Sequence, residues 1–150
     1  MDEVILPLTT ILFGATQEEI FCDYRVFSEV NDYKACKFSL GDKRVIYREA
    51  KITPKEVGLF VAIWKRNALG VTQPYEKSDC FDYLVIKVEE NGQKGLFVFS
   101  KERLVKLGMI STEFKEGKRG VRVYPSWVVP QNKQALTTQK KQISSFYILE

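Results

Sequence analysis

The sequence contains no histidine among its 150 residues. This absence excludes catalysis by Ser-His-Asp or Cys-His groups, because both need an imidazole as general base. It also excludes histidine-dependent metal nucleases, two-histidine phosphoesterases and zinc hydrolases as groups. An enzyme built from this chain would have to use carboxylates, lysine, tyrosine or a carboxylate-bound metal ion.

Cysteine is scarce, and its three positions, Cys22, Cys36 and Cys80, lie far apart. They form no C-x-x-C pair, and a zinc site cannot be assembled from them without histidine or a fourth cysteine. We therefore expect buried, reduced thiols. The sequence also lacks a glycine-rich phosphate loop of the Walker or dinucleotide-binding type.

No apolar run is long enough to span a bilayer. The first residues include a short apolar stretch, but they begin with acids, whereas a secretory signal begins with basic residues. We therefore predict a first helix here, no membrane insertion and a cytoplasmic location.

The composition that remains is typical of a packed globular protein. Hydrophobic residues make up 45% and aromatic residues 13% of the chain, which predicts a single domain over residues 1–150. The net charge of +4 is uneven, since residues 101–150 contain 10 basic and 4 acidic side chains. The last third of the chain therefore favours an anionic partner.

Hydrophobic periodicity predicts an α+β fold. Helices are expected at 2–13, 101–107 and from 132 or 133 to the C-terminus, with a further helix N-terminus at Thr16, Glu18 and Glu19 and a short helix or mixed segment through Phe27. Strands are expected at 34–40, 44–52, 59–66, 82–88, 95–99 and from Gly120, with a loop over 67–81. In the last helix the predicted apolar stripe is formed by Leu136, Ile143, Phe146 and Tyr147, and Lys133, Lys140 and Lys141 lie off it. The side chains of Gln134, Gln139 and Gln142 could face the sheet or a ligand, and we expect them in solvent. These elements predict a mixed, largely antiparallel central sheet of five to six strands flanked by helices.

The strands at 44–52 and 59–66 form the predicted central hairpin. One aromatic side chain and four cations are expected at its rims: Trp64, Arg48, Lys51, Lys65 and Arg66. Rigid cations beside an aromatic ring suit an anionic ligand that can stack, which favours nucleic acid. The alternative is a core hairpin whose ends are merely solvated.

Residues 115–127 form a second segment in which basic and aromatic residues alternate. Two glycines bracket Lys118 and Arg119, so the backbone can approach a partner closely. The predicted nucleic-acid contacts in this segment are Lys118, Arg119, Arg122, Tyr124 and Trp127. The alternative is a surface hairpin whose aromatic side chains pack into the core.

Several motifs together resemble the MepB family. They are AKITPKEVGLFVAIWKRN, the Gln73-Pro74-Tyr75 and Ser78-Asp79 loop, DYLVIKV, GLFVFSKERLVKLGMIS, GKRGVRVYPSW and the helix with Gln134-Ala135 and Thr138-Gln139. Spacing and order match from about residue 30 to the C-terminus. The resemblance implies a bacterial protein named from a multidrug-efflux gene cluster, with an architecture similar to restriction-endonuclease-like domains. Many of those domains bind or cut nucleic acid, although a fold alone does not assign a function.

One functional hypothesis is a metal-dependent nuclease. Glu49-Ala50-Lys51 has the (Asp/Glu)-x-Lys spacing, with both side chains expected on one face of one strand. Asp82 is the candidate second carboxylate, so Glu49 and Asp82 would hold Mg²⁺ or Mn²⁺ while Lys51 orients the attacking water. The tripeptide is common, and no Pro-Asp pair precedes it.

The preferred hypothesis is a non-catalytic protein that binds DNA or RNA without a cofactor. Its basic residues would contact phosphates, and Trp64, Tyr124 and Trp127 would stack on bases or frame the groove. It requires the two basic segments, distant in sequence, to fold into one surface. A third hypothesis is a protein-interaction or small-ligand module serving the efflux system, with the loop from Pro74 to Asp82 and an aromatic pocket as its site.

Overall fold

A six-stranded sheet forms the centre of the computed structural model, which describes residues 1–14, 20–27 and 32–150. The strands are β1 (Phe21–Val26), β2 (Cys36–Leu40), β3 (Lys43–Glu49), β4 (Lys51–Ile52), β5 (Leu59–Ala62), β6 (Trp64–Arg66), β7 (Thr72–Pro74), β8 (Tyr83–Glu90), β9 (Gln93–Ser100), β10 (Gly120–Val123) and β11 (Phe146–Leu149). The helices are α1 (Asp2–Phe13), α2 (Lys101–Lys106) and α3 (Lys133–Gln142).

The large sheet has the strand order β1-β2-β3-β8-β9-β11. Strands β3 and β8 run parallel, and the other neighbouring pairs are antiparallel. This architecture confirms the predicted mixed, largely antiparallel sheet. A three-stranded sheet, β10-β5-β4, and the β6–β7 pair complete the described strands.

The large sheet carries apolar cores on both faces. On one face, which we call the α1 face, Val4 and Leu8 of α1 pack against Tyr47 and Val85. On the other face the three-stranded sheet packs through its own inner side. The buried side chains of that inner side are Leu59, Val61, Val121 and Val123. Alternation along each strand produces this division, because neighbouring side chains point to opposite faces.

The helix boundaries follow ordinary capping chemistry. Gly14 ends α1 with a φ of 77°, a left-handed conformation that glycine adopts readily. The Ser100 hydroxyl accepts a hydrogen bond from the Arg103 amide at the start of α2 (3.1 Å), and the Asn132 side chain accepts one from the Ala135 amide at the start of α3 (2.8 Å). The predicted starts of α1, α2 and α3 are confirmed.

The short helix or mixed segment predicted through Phe27 is wrong, because Phe21–Val26 forms the edge strand β1. It pairs with β2 through the backbone, while most of its side chains are exposed. An edge strand of this kind lacks the alternating burial that reveals strands in sequence. The helix start predicted at Thr16, Glu18 and Glu19 lies outside the described residues.

The predicted stripe of the C-terminal helix is also wrong. Helix α3 ends at Gln142, a short 3-10 turn (Ile143–Ser145) follows, and Phe146 begins β11. Strand β11 pairs with β9, where Gly95 makes room for the Phe146 ring. Gln142, expected in solvent, is buried instead. Phe146 and Tyr147 therefore belong to the edge strand of the large sheet, although their spacing also fits a helix.

The predicted central hairpin is divided between sheets. Strand β3 ends at Glu49, the Ala50 amide donates to the Lys87 carbonyl, and β4 then joins the three-stranded sheet. The second predicted strand likewise separates into β5 and β6, and the predicted loop over 67–81 contains β7. The chain thus passes from the large sheet to the small one at Ala50.

The thiols are only partly as expected. Cys36 is buried, and its burial raises the pKa of the thiol to about 11. Cys22 and Cys80 are exposed, so the expectation of buried thiols is wrong for these two residues.

Every helix in the described ranges is too short or too polar to traverse a bilayer.

Candidate functional site

The two basic segments meet on the outer face of the three-stranded sheet. Phe60 of β5 is the direct cross-strand partner of Lys51 on β4 and of Arg122 on β10. Directly opposed residues of an antiparallel sheet point to the same side. These side chains therefore share the face opposite the buried Leu59 and Val61, which we call the outer face.

A groove of about 550 Å³ separates part of this outer face from helix α3. Three cationic side chains, Lys118, Arg122 and Lys141, and one acidic side chain, Glu56, line it. The α3 wall is held by Gln142, whose side chain donates to the Arg122 carbonyl (3.0 Å) and accepts from the Tyr124 amide (3.0 Å). Because Gln142 is buried, these bonds connect α3 firmly to β10.

Lys118 and Lys141 are the exposed cations of the groove. Neither ammonium group has a hydrogen bond or ion pair with another described residue. The backbone of Lys118 is fixed, since its amide donates to the Met109 carbonyl (3.1 Å). Gly117 beside it lies so close to the Ile110 backbone that a Cβ would come within 2.6 Å. The ammonium groups of Lys118 and Lys141 are therefore available to an anion.

Arg122 is tied to the turn between β4 and β5. Its guanidinium donates to the carbonyls of Val57 (3.2 Å) and Gly58 (3.3 Å), and its Nε lies 3.3 Å from Glu56 Oε2. Arg122 therefore already has partners within the protein, and its predicted contact with phosphate stays a prediction. Its side chain positions the turn and adds charge to the groove.

Lys51 is exposed on the outer face but has neighbours of its own. Its ammonium group lies 5.1 Å from the centre of the Tyr33 ring and 4.0 Å from Asp32 Oδ1. Arg119 is also exposed, and its guanidinium donates to Glu116 and to the Thr72 carbonyl on β7 (3.3 Å each). Of the two, Lys51 lies on the outer face beside Phe60, whereas Arg119 contacts β7.

Arg48 was predicted at a rim of the hairpin and is instead 4% exposed. Its guanidinium donates to the Tyr47 carbonyl (2.8 Å) and to the Tyr75 hydroxyl (3.2 Å), and it lies 5.2 Å from the centre of the Phe27 ring. Burial of a charged group requires such contacts. The predicted rim position of Arg48 is therefore wrong, and the buried side chain does not belong to the basic surface.

The β6 residues do not line the groove. Lys65 Nζ lies 2.7 Å from Asp79 Oδ1 and 3.5 Å from Glu76 Oε2. Desolvation lowers the pKa of Lys65, but the hydrogen bond to Asp79 and the nearby acids outweigh it and raise the pKa overall. Arg66 lies over the Trp64 ring at 4.9 Å. Through its ion pairs with Asp79 and Glu76, Lys65 stabilises the loop that follows β7.

The two other predicted aromatic residues pack inside the protein. Tyr124 is 8% exposed at the base of the groove, where burial raises the pKa of its hydroxyl. Trp127 donates through Nε1 to Glu90 (2.9 Å) and packs against Phe146. The alternative interpretation, aromatic side chains in the core, describes both residues.

The predicted nuclease residues do not converge. Asp82 lies level with Arg44, since its amide donates to the Arg44 carbonyl (2.8 Å). Glu49 lies opposite Lys87 at the other end of the β3–β8 pair. Five residues of strand place the backbones of Asp82 and Glu49 about 16 Å apart, more than two short side chains can span. Lys51 does not share a strand with Glu49, and no cluster of three possible metal ligands occurs among the residues described.

The loop from Pro74 to Asp82 is held closely to the protein. The Lys77 amide donates to the Ser111 carbonyl (2.8 Å), and the Asp79 carboxylate accepts from the Glu76 amide (2.8 Å). Asp82 accepts from the Arg44 amide (2.8 Å). A depression lined in part by Ser78, Thr112 and Phe114 lies beside it. The hydrogen bonds of Lys77, Asp79 and Asp82 therefore hold this loop in one position.

Two groove residues, Phe60 and Lys141, were missed in the sequence. The alternation of Leu59, Phe60 and Val61 could have indicated that Phe60 faces away from the core. Lys141 carried no comparable signal, because its place depends on the docking of α3 through Gln142.

The chain is similar to MepB proteins both in sequence and in structure. A family model described as MepB-like matches residues 28–148. A crystal structure of MepB is similar, with a TM-score of 0.82 and 35% sequence identity over 95% of this chain and 94% of that chain. The bacterial homing endonuclease I-Ssp6803I is similar at a TM-score of 0.45 and 14% identity over 92% of this chain and 83% of that chain, a likeness too weak to support an argument about function. No curated protein matches significantly.

Proposed function

The chain belongs to the MepB-like family, and we propose that it binds nucleic acid, DNA or RNA, in the groove between the outer face and helix α3. The observation that supports this most strongly is that Lys118 and Lys141, from two separate segments, line the same groove and have no charged partner among the described residues. Arg122 and Lys51 add positive charge at the same side of the three-stranded sheet. Phosphate groups are the natural ligands of such a surface.

We propose binding without strand cleavage. The distance between Glu49 and Asp82 prevents them from ligating one metal ion, because carboxylate ligands lie about 2.1 Å from a bound magnesium. Glu49 also accepts a hydrogen bond from the Tyr47 hydroxyl (2.7 Å). A cytoplasmic location fits this proposal, since Cys22 and Cys80 are exposed free thiols and free thiols persist in reducing compartments.

The proposal predicts a steep dependence of affinity on salt. Each phosphate that the protein neutralises releases condensed counterions, so affinity falls as the salt concentration rises. With three or four cations engaged, we expect a roughly 20- to 50-fold loss of affinity for a single strand between about 50 mM and about 200 mM salt, and a larger loss for a duplex. Fluorescence anisotropy of labelled DNA and RNA oligonucleotides measures this directly.

The same titration provides its control. With magnesium added, the oligonucleotides should remain intact, and Glu49→Gln should bind like the parent protein. Affinity that is insensitive to salt would contradict phosphate recognition, and magnesium-dependent cleavage abolished by Glu49→Gln would restore the nuclease hypothesis.

A further inference from the structure

Phe60 is the central aromatic residue of the outer face. It belongs to β5, the middle strand of the three-stranded sheet, between Leu59 and Val61, whose side chains are fully buried on the inner side. Phe60 itself is partly exposed and lines the groove. An aromatic ring in the middle of an open sheet face thus remains accessible to a ligand.

Cations flank this ring on both neighbouring strands. Lys51 and Arg122 are its direct cross-strand partners. Opposed side chains begin about 5 Å apart, measured between Cβ atoms. A planar apolar surface with a positive charge on each side matches the alternation of bases and phosphates along a nucleic-acid strand.

The ring is held in place by its surroundings. Gly120 has no side chain, and a Cβ there would lie 2.5 Å from the tip of the Phe60 ring. Tyr33 contacts the ring edge-on, with centroids 6.3 Å apart. An aromatic side chain that covers a glycine on the next strand is a known way to stabilise a sheet. That role accounts for the contact with Gly120. Lys51 and Arg122 have the protein contacts described above, and they still place a positive charge on each side of the ring.

We propose that Phe60 is a stacking platform for a base and that the groove takes single-stranded nucleic acid. This inference rests on the proposed function and specifies its ligand. A ring on a sheet can stack on a base only when that base is free of its own stack and pair, as in single strands. Lys51, Lys118 and Lys141 would contact the adjoining phosphates, while Arg122 keeps its place in the turn.

The most direct experiment compares three ligands on the unmodified protein by fluorescence anisotropy. They are a single-stranded oligonucleotide of about 15 nucleotides, a duplex of the same length, and a single strand of abasic residues with the same phosphates. We expect the abasic strand and the duplex each to bind roughly 10-fold more weakly than the single strand with bases.

A variant tests the residue itself. Phe60→Leu keeps an apolar side chain but removes the aromatic face, and we expect a roughly 10-fold loss of affinity for the single strand with no change for the abasic strand. Phe114→Leu is the matched control, because Phe114 is 90% exposed and lies outside the groove. Circular dichroism confirms that both variants fold.

The outcomes separate the two proposals. Equal affinity for all three ligands, with no effect of Phe60→Leu, would overturn stacking and leave phosphate binding in place. Failure of the unmodified protein to bind any of the ligands would overturn the proposed function, and with it this inference. A selective loss on the abasic strand supports both, even if Phe60→Leu does not fold.

Discussion

Reversing the charges of Lys118 and Lys141 together (K118E/K141E) is expected to weaken nucleic-acid binding roughly 100-fold at low salt, since each change replaces an attraction with a repulsion. Both side chains are exposed, so the fold should tolerate the substitutions. The loss should be similar for all base sequences, because phosphate contacts carry no sequence information. Anisotropy titrations with several oligonucleotides of one length measure the effect.

A second double variant controls for net charge. Lys43 and Lys94 lie on the α1 face, where Lys94 pairs with Glu3 of α1 (3.2 Å) and Lys43 precedes Val45 on the same side of β3. The variant K43E/K94E changes the net charge by the same amount on the far side of the large sheet. We expect a loss of less than about 5-fold. Equal losses for the two variants would show that total charge, and not the groove, governs binding.

Leu59→Ala is expected to lower the free energy of unfolding by about 3–5 kcal/mol. Leu59 is 0% exposed on the inner side of the three-stranded sheet, where it packs within the core beneath the groove. Removal of a fully buried side chain leaves a cavity that the surrounding strands only partly fill. Urea unfolding followed by circular dichroism measures the change.

The cross-strand neighbour of Leu59 is a matched control. Ile52 pairs with Leu59 but is 58% exposed at the sheet edge. Ile52→Ala should therefore cost less than about 1 kcal/mol. If the two substitutions destabilised the protein equally, the three-stranded sheet would not be anchored through its inner side.

Local signals predicted much of the fold. Ser100 and Asn132 mark helix starts, and Asn91-Gly92 marks the turn between β8 and β9, because capping and turn chemistry depend on a few adjacent residues. The parallel pairing of β3 with β8 had no such signal. The burial of Arg48 had no local signal either, because it depends on contacts with Phe27 and Tyr75, which are distant in sequence.

The candidate site was predictable only in part. Its basic character was visible at Lys118 and Arg122, but the sequence could not reveal that Glu56 and the turn carbonyls already engage Arg122. The register that places Lys51, Phe60 and Arg122 in one row is a property of strand pairing. Pairing across distant segments depends on the whole fold and leaves no local pattern.

The location of the binding site is best tested by NMR chemical-shift mapping of the labelled protein during titration with a single-stranded oligonucleotide. The proposed groove predicts that the largest shifts occur at residues 117–122 and 133–142 and around Phe60, while α1 is unaffected. Shifts concentrated on α1 and the α1 face, with none at Lys118, Lys141 or Phe60, would contradict it.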